Sequence, residues 1–435
     1  MQAFRDDTIV VVGGGLAGLA TAAYLARAGR AVTVLERAAA PGGRAQTTAA
    51  GGYRLNLGPH ALYRSAAGTG VLDELGVAHH GGIPTASGGY AIDRGTLHAL
   101  PGGFMSLLTT GLFGVGAKVE TAGLLTGLAR IDADALARTT VRTWLSEHIR
   151  HASVRSLVEG LFRLATYANA PGTMSAGLAI RQFQLALAHG VRYLDGGWQT
   201  LVDGLRLRAE ERGARLRTAA AVVGLERGPD GEATGVCLRA GEVIPAGTVV
   251  LALDAPAASA LLPESTARRF AAAATPVRAA CLDVGLSRLP RPRATFALGI
   301  DQPLYFSVHS AVARLTPEGG AMIHVARYLG DDTPDPATVE RQLEGVLDRM
   351  QPGWRDVVVE RRFLPHLVAA SALVTAANGG VAGRPGPAVP EVPNLYVAGD
   401  WVGAEGWLAD ASLASARAAA RMVLERRRER GAAAA

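Results

Sequence analysis

Cysteine and lysine are almost absent from this chain of 435 residues. Cys237 and Cys281 are its only cysteines, and they lie far apart without the spacing of metal ligands. This excludes a disulfide scaffold, predicts that no metal is bound and indicates a reducing compartment. Lys118 is the only lysine, so almost all of the 44 basic residues are arginines.

Clusters of basic and aromatic residues are also missing. The formal net charge is +6, but the arginines are scattered among 38 acidic residues, and aromatic residues make up only 5% of the chain. A nucleic-acid-binding surface needs a basic patch or stripe. The sequence therefore predicts that nucleic acid is not a partner.

Long apolar runs are absent as well. The strongest candidate, residues 104–117, is about 14 residues long and precedes Lys118, whereas a membrane span needs roughly 20 apolar residues. We expect a buried or interfacial helix there, and peripheral membrane contact through residues 104–113 stays open. Residues 1–7 are too short and too charged for a signal peptide. A cytoplasmic location is expected, with membrane association as an open alternative.

The chain does contain enough apolar material for a large core. Hydrophobic residues make up 49% and charged residues 19%, which excludes global disorder. The length exceeds that of one ordinary domain. Two domains, or one large domain with an insertion, are therefore expected.

A dinucleotide-binding pattern opens the chain. The run Thr8–Val12 predicts a buried strand, followed by the glycine motif at 13–18, a helix to residue 28 and a strand at 31–35 that ends at Glu36. In a GxGxxG motif the glycines allow a tight turn, close approach of a pyrophosphate and packing of the helix, while the acid accepts from ribose hydroxyls. The expected cofactor contacts are Gly13, Gly15, Leu16, Ala17, Gly18, Glu36 and Arg37.

The residues after Glu36 narrow the kind of cofactor. Gly42-Gly43-Arg44 resembles the extended dinucleotide motif of the FAD-containing amine oxidase and phytoene desaturase superfamily. Residues 53–63, 196–201 and 394–400 resemble the same superfamily, so the resemblance covers most of the chain. Within this superfamily, the closer resemblance is to bacterial phytoene-dehydrogenase-like NAD(P)/FAD-dependent oxidoreductases. The stretches GPHALY, YLDGGW and VAGDWVG carry that resemblance.

The resemblance implies a set of contacts with FAD. FAD is expected to be non-covalent, because neither cysteine matches the position of covalent attachment in the family. In the family, five segments surround the cofactor. They are the Gly-Gly-Arg turn, the turn that contains the start of GPHALY, a valine in the strand expected at 214–225, the Gly-Asp pair and the start of the last helix. The corresponding residues are Gly42, Gly43, Arg44, Leu57, Gly58, Pro59, His60, either Val222 or Val223, Gly399, Asp400, Leu408, Ala409 and Ala411.

These segments predict an α/β fold in which a Rossmann-like FAD-binding domain, discontinuous in sequence, carries an inserted α+β substrate domain. The FAD-binding domain is expected at 1–86, 193–274 and 388–435, and the substrate domain at 87–192 and 275–387. Within the substrate domain, helices are expected at 100–131, 139–166, 174–188 and 336–350, and strands at 304–312 and 321–329. The proline-rich stretch 384–393 predicts a linker back to the FAD-binding domain.

The resemblance implies an oxidoreductase that transfers a hydride from an apolar or natural-product substrate to flavin N5, as a dehydrogenase or desaturase does. A flavin amine or amino-acid oxidase, an isomerase that uses reduced FAD, and a non-catalytic prenyl-binding escort protein are alternatives. Amine oxidases of the superfamily place a lysine near flavin N5, and Lys118 does not match that position. The escort alternative predicts eroded Gly-Gly-Arg and Gly-Asp motifs, and both are intact here. Formation of a homodimer stays open.

His60 is the candidate catalytic residue, because its turn approaches the flavin in the family and histidine transfers protons near neutral pH. The alternative is a histidine that only bonds backbone in a tight turn. Five further residues are expected to line the substrate site, although each also suits simple packing: Tyr63, Tyr305, His309, His324 and Trp407.

Overall fold

The computed structural model describes residues 8–85, 88–101, 104–332 and 334–434, with the side chains in these ranges except those of residues 104, 272, 273 and 427–434. The expectation about a signal peptide concerns residues 1–7, which lie outside the described residues. The strands span Thr8–Val12, Ala31–Leu35, Thr47–Ala50, Tyr53–Asn56, Leu62–Tyr63, Gly81–Gly82, Tyr90–Asp93, Thr96–Ala99, Val191–Leu194, Arg215–Arg217, Val222–Arg227, Ala233–Leu238, Val243–Pro245, Thr248–Leu251, Val277–Leu286, Phe296–Gly299, Leu304–Val308, Ala321–Leu329, Val358–Ala370 and Leu395–Val397. The helices span Leu16–Arg27, Ala67–Glu74, Phe104–Thr109, Val115–Leu128, Val141–His148, Ala152–Thr166, Ala176–His189, Gln199–Glu210, Ala255–Ser259, Glu264–Ala273, Pro336–Met350 and Ala409–Ala434.

The first of two main sheets is a five-stranded parallel sheet. Its strands lie in the order Arg215–Arg217, Ala31–Leu35, Thr8–Val12, Thr248–Leu251 and Leu395–Val397. The strands are rich in Val, Leu and Ile because both faces are covered, one by three helices and the other by a three-stranded antiparallel sheet. This confirms the expected α/β fold, and it brings the carboxyl ends of the strands to one edge of the sheet.

The second main sheet has seven strands and is mostly antiparallel. Its order is Val358–Ala370, Val277–Leu286, Ala321–Leu329, Leu304–Val308, Phe296–Gly299, Tyr90–Asp93 and Thr96–Ala99. One face is apolar and packs on the helix Pro336–Met350. The opposite face carries Arg362, Asp283, His324 and Ser307, which stand opposite one another on four adjacent strands.

Several strands of this second sheet were not expected from the sequence. The alternation in Val358–Ala370 is weak because this strand forms an edge of the sheet, and the register shifts where Pro365 lies. Tyr90–Asp93 and Thr96–Ala99 are short and lie in a stretch whose pattern indicated helices. The helix Pro336–Met350 and the strand Ala321–Leu329 were predicted with their observed bounds.

Two predicted elements are wrong in their continuity. The strand expected at 214–225 divides into Arg215–Arg217 and Val222–Arg227, which belong to different sheets, because the backbone turns at Ala219 with φ of +51°. The helix expected at 139–166 breaks at residues 149–151, where the Glu120 carboxylate accepts from the backbone N–H groups of Arg150 and His151 at 2.7 and 3.0 Å.

The helix expected at 100–131 also divides, into Phe104–Thr109 and Val115–Leu128 around Gly111 and Gly114. These two helices carry the exposed apolar side chains of Met105, Leu108, Val115 and Val119. Among the described residues, no helix is both long enough and apolar enough to cross a membrane.

Candidate functional site

The glycine motif forms a tight turn at the carboxyl end of the first strand. Gly13 has φ of +107°, and a Cβ added there would lie 2.4 Å from the Ala252 carbonyl oxygen. A Cβ added to Gly18 would lie 1.9 Å from the Gly13 carbonyl oxygen. A side chain at either position would therefore separate the helix Leu16–Arg27 from the parallel sheet.

Gly15 differs from these two glycines because the space beside it is open. A Cβ added to Gly15 would approach nothing closer than the Gly42 carbonyl oxygen at 4.0 Å. No side chain in the described ranges caps the helix that begins at Leu16, so the amides of Leu16, Ala17 and Gly18 have no side-chain acceptor. Such an uncapped helix N-terminus beside open space suits a phosphate.

Glu36 lies at the end of the neighbouring strand, as the motif predicts. Its carboxylate accepts from the backbone N–H groups of Gly14 at 2.7 Å and Ala38 at 2.8 Å, which fixes its orientation beside the glycine turn. The segment that leads to Val222 and Val223 is held next to it, since Ala220 N–H donates to the Glu36 carbonyl at 2.8 Å. Arg37 is exposed at the surface.

The second glycine turn is bonded to the first. Gly42 N–H donates to the Gly14 carbonyl at 2.8 Å, and the short 3-10 turn Gly43–Ala45 follows. This turn directs Arg44 toward the last strand of the parallel sheet. The Arg44 Nη1 atom lies 2.7 Å from Asp400 Oδ2, across 356 positions of sequence.

Asp400 is the buried anion of the site. Its side chain is 1% exposed, and Oδ2 accepts from Arg44 and from the Ser371 backbone N–H at 2.8 Å. Burial alone would raise the pKa of Asp400, but the Arg44 guanidinium and the Ser371 contacts outweigh burial and lower the pKa. Asp400 Oδ1 is buried and makes no hydrogen bond within the described part of the chain, so the site offers an acceptor for a ligand hydroxyl.

Arg384 anchors the loop that follows Asp400, a role that the sequence did not indicate because the proline-rich stretch predicted only a linker. Its guanidinium donates to the carbonyl oxygens of Asp400 at 2.9 Å, Gly406 at 2.8 Å and Glu405 at 3.2 Å. Burial lowers the pKa of Arg384 to about 10, so the guanidinium stays charged at neutral pH. A cation bound to these carbonyls orients the loop toward the start of the last helix.

The last helix begins beside this loop. Leu408 has φ of +55°, and the helix runs from Ala409 to Ala434 with Ala411 fully buried in its first turn. Gly399 N–H donates to Ser415 Oγ at 2.9 Å, which ties the Gly-Asp pair to the same helix.

A turn over residues 56–60, here called the 56–60 turn, connects the two sheets. The Asn56 side-chain oxygen accepts from Trp198 N–H at 3.0 Å and from Thr47 Oγ1 at 2.6 Å, and the Asn56 carbonyl accepts from Gly58 N–H at 2.8 Å. A Cβ added to Gly58 would lie 3.5 Å from the sulfur of Cys281 in the seven-stranded sheet. The stretch 193–198 and the 56–60 turn, which carry the sequence resemblance separately, are thus in direct contact.

His60 ends this turn with both ring nitrogens near backbone carbonyls. Nδ1 lies 3.1 Å from the Gly58 oxygen, and Nε2 lies 3.1 Å from the Arg44 oxygen. Burial is the main reason why the pKa of His60 is lowered, so the ring is neutral at pH 7. Because a neutral imidazole carries one N–H, only one of the two contacts is a hydrogen bond in that state.

Three aromatic side chains near the end of the helix Ala152–Thr166 bond their polar atoms to backbone, and one of them, Tyr167, contacts the 56–60 turn. Tyr167 OH donates to the Pro59 carbonyl at 3.0 Å, Tyr63 OH to the Ala165 carbonyl at 2.7 Å, and Trp407 Nε1 to the Thr166 carbonyl at 3.0 Å. Trp407 is fully buried in a core formed largely by the helices between residues 115 and 189. The ring faces, rather than free hydroxyl or indole N–H groups, are left for apolar contacts.

The remaining predicted residues meet on the polar face of the seven-stranded sheet. His309 stacks on Tyr193 with ring centroids 3.7 Å apart, and its Nε2 lies 3.2 Å from Tyr305 OH. His324 lies edge-on to His309 at 4.4 Å, and its Nδ1 is 2.6 Å from Asp283 Oδ1. The sequence pointed to Tyr305, His309 and His324, but it gave no signal for Asp283.

Asp283 and His324 also form a compact group with Cys281, whose sulfur donates to Asp283 Oδ1 at 3.1 Å. These three buried residues are hydrogen-bonded to one another, and Arg362 lies 2.6 Å from the other Asp283 oxygen. Because the arginine already neutralises the carboxylate, we assign the group to a hydrogen-bonded network.

The cofactor-side residues fit FAD. The open helix N-terminus beside Gly15 suits the pyrophosphate, the fixed carboxylate of Glu36 suits ribose hydroxyls, and the unpartnered Asp400 Oδ1 suits a further hydroxyl. All of them lie at the carboxyl edge of the parallel sheet, where ligands bind in open α/β sheets.

Known proteins with similar sequences are redox enzymes. The hydroxyneurosporene desaturase of Cereibacter sphaeroides is 30% identical over 294 residues, which are 56% of this chain and 55% of the relative. The phytoene dehydrogenase of Streptomyces griseus is 57% identical over 56 residues, which are 13% of this chain and 11% of the relative. The chain therefore matches about half of the length of the first relative and about a tenth of the second.

Solved structures share the fold over almost the whole chain. A putrescine oxidase superposes with a TM-score of 0.75 at 17% identity and covers 96% of this chain and 99% of its own. An oxidoreductase from Methanosarcina mazei superposes with a TM-score of 0.74 at 17% identity, over 96% and 100% of the two chains. At these identities the comparison establishes the α/β architecture.

The sequence also matches the protein family described as flavin containing amine oxidoreductase, over residues 16–424. This match, which covers nearly the entire chain, confirms the expected family of flavin-dependent oxidoreductases and the expected cofactor FAD. The protein belongs to the family of flavin containing amine oxidoreductases.

Proposed function

We propose that this protein is a dehydrogenase or desaturase that removes a hydride from an apolar or natural-product substrate, using non-covalently bound FAD. When bound, FAD supplies the hydride acceptor, its N5 atom. The observation that supports an apolar substrate is a group of three aromatic side chains, here called the aromatic wall, in which the polar atoms of Tyr63, Tyr167 and Trp407 are bonded to backbone and Tyr167 contacts the 56–60 turn. Tyr63 and Trp407 are buried, so the partly exposed ring of Tyr167 is the apolar surface that a substrate would contact.

The chain's own residues would hold and orient the cofactor. Amides at the start of the helix Leu16–Arg27 bind phosphate oxygens, and Glu36 and Asp400 accept hydroxyls. Arg44 keeps Asp400 ionised. Arg384 holds the loop after Asp400 in the conformation that begins the last helix.

A flavin amine or amino-acid oxidase is the second candidate, favoured by the similarity in fold to a putrescine oxidase. The position of Lys118 argues against it. Lys118 Nζ donates to the Leu108 carbonyl at 2.6 Å, between the two helices that carry exposed apolar side chains. This leaves the aromatic wall without the lysine that amine oxidases of the superfamily place near flavin N5.

Product analysis separates these activities. The purified protein, supplied with FAD and air, would be incubated with isoprenoids or with primary amines, and the products would be examined by mass spectrometry. We expect loss of two hydrogens from the isoprenoid and no turnover of amines. Turnover of amines alone would contradict the proposal, and a rearranged isoprenoid of unchanged mass would identify an isomerase.

We also propose that the two helices 104–109 and 115–128 make peripheral contact with lipid. Met105, Leu108, Val115 and Val119 are 68%, 50%, 83% and 69% exposed, which is unusual for such large apolar side chains in one short segment. Replacing Val115 and Val119 by serine should abolish flotation with phosphatidylcholine vesicles. Failure of the wild-type protein to float would contradict lipid contact and leave the redox proposal unaffected.

A further inference from the structure

Arg362 joins the seven-stranded sheet to the 56–60 turn. It lies on the edge strand Val358–Ala370, and its guanidinium reaches three segments of the chain. Nε and Nη2 lie 3.2 and 2.6 Å from Asp283 Oδ2, Nη1 donates to Thr48 Oγ1 at 3.0 Å, and Nη2 also donates to the Asn56 carbonyl oxygen. The side chain therefore contacts the sheet, the strand Thr47–Ala50 and the first residue of the turn.

Asp283 gives this arginine a fixed anchor. The carboxylate is fully buried, and its second oxygen, Oδ1, receives His324 Nδ1 at 2.6 Å and the Cys281 sulfur at 3.1 Å. Although burial raises the pKa of Asp283, the contacts with His324 and Arg362 outweigh this and lower it. The carboxylate therefore stays ionised and holds the guanidinium in one orientation.

Asn56 links the Arg362 guanidinium to the 56–60 turn. Its carbonyl accepts from Arg362 and from Gly58 N–H, and its side chain receives Trp198 N–H and Thr47 Oγ1. A displacement of Asn56 would therefore move Gly58, whose carbonyl oxygen lies 3.1 Å from His60 Nδ1, and His60 in turn contacts Arg44 of the second glycine turn. Arg362 is thus the contact that ties the turn to Asp283 in the seven-stranded sheet.

We propose that Arg362, anchored by Asp283 and His324, is a positioning residue that sets the 56–60 turn against the cofactor. The inference rests on the proposed function for the identity of the cofactor, FAD. A buried ion pair by itself contributes little to stability. The fork shape of the guanidinium explains why arginine stands here, since a lysine ammonium, with its donors on one nitrogen, does not span three acceptors in different segments.

The test compares Arg362→Lys with Arg327→Lys, a matched control in the same sheet. Arg327 is similarly exposed, at 19% against 22% for Arg362, but it bonds Gln342 and Asp332 instead of the turn. FAD would be titrated into each apoprotein, and the visible spectrum of the bound flavin would be recorded. We expect Arg362→Lys to bind FAD about tenfold more weakly, which corresponds to the loss of one charge-assisted hydrogen bond. The visible bands of the bound flavin should also shift. Arg327→Lys should match the wild-type protein in both readouts.

The proposal is overturned if Arg362→Lys binds FAD with wild-type affinity and an unchanged spectrum. If Arg362→Lys does not fold, Asp283→Asn decides, because asparagine keeps the shape of the side chain but removes the charge that anchors the Arg362 guanidinium. A shifted flavin spectrum in Asp283→Asn supports the proposal, and an unchanged spectrum overturns it. Both readouts are measured without substrate, so failure of the proposed dehydrogenase activity would not produce either result.

Discussion

At the scale of single residues, the site depends on a few buried polar atoms whose partners are far away in sequence. Asp400 follows a strand near the end of the chain, whereas Arg44 belongs to the first fifty residues. The sequence predicted both residues because each stands in its own motif. It did not predict Arg384, Asp283 or Arg362, since each contacts its partners only through the tertiary fold and no local pattern marks it.

Replacing Asp400 by Asn tests the buried anion. The variant keeps an oxygen for the Ser371 N–H but loses the charge that holds Arg44. We expect FAD to bind on the order of 10- to 100-fold more weakly, as for loss of a charged hydrogen-bonding group. Titration of the apoprotein with FAD measures this, with Asp230→Asn in an exposed turn as the control. Equal affinities of the two variants would contradict the assignment.

Replacing His60 by Ala tests its two candidate roles. We expect substrate-dependent reduction of the flavin to slow by roughly 100-fold or more while FAD remains bound, the usual effect of losing a general acid or base. If His60 acts as the base, the wild-type rate should fall as the pH drops through its lowered pKa, below 6.5, because protonation removes the free nitrogen. Unchanged reduction kinetics in the variant would remove His60 from the mechanism. A slower rate with an unaltered pH profile would assign it to positioning the 56–60 turn.

At the scale of elements, local sequence patterns predicted the parallel sheet. They did not predict the seven-stranded sheet, because its strands pair over long distances in sequence. The run Thr8–Val12, the glycine turn and the following helix are contiguous, so their periodicity is visible. Val277–Leu286 pairs instead with residues about forty and eighty positions away. The polar face of that sheet, where Asp283 and His324 meet, exists only after this pairing.

The first turn of the last helix carries a buried acid that makes stability depend on pH. Asp410 Oδ1 accepts from Gly68 N–H at 2.9 Å, and burial is the main cause that raises its pKa from 3.8 to about 7. Between these values the folded protein holds a proton that the unfolded chain has released. Stability therefore falls as the pH rises from 3.8 to about 7 and levels off above it.

Asp410→Asn should remove this dependence, because the amide oxygen keeps the Gly68 contact and carries no charge. A shift from 3.8 to about 7 corresponds to on the order of 4 kcal/mol, so the variant should be more stable than wild type at pH 8 by up to that amount. At pH 4 the two proteins should differ little. Thermal unfolding at both pH values measures the effect, and a difference that does not change with pH would show that Asp410 does not titrate in this range.

At the scale of the whole molecule, we propose that the 56–60 turn is the junction between a cofactor side and a substrate side. Arg44 and Trp198 contact it from the first, and Tyr167 and Arg362 from the second. The turn thus contacts both the segment that carries the second glycine turn and the seven-stranded sheet. A reaction between a bound cofactor and an apolar substrate uses both sides.

Anaerobic mixing of the FAD-loaded protein with candidate substrates tests this account most directly. Isoprenoids should bleach the visible absorption of the flavin at a rate that depends on their concentration, and admission of oxygen or an artificial electron acceptor should restore it. Primary amines should leave the spectrum unchanged. Bleaching by amines but not by isoprenoids, or the absence of flavin bands after addition of FAD, would contradict the central claim.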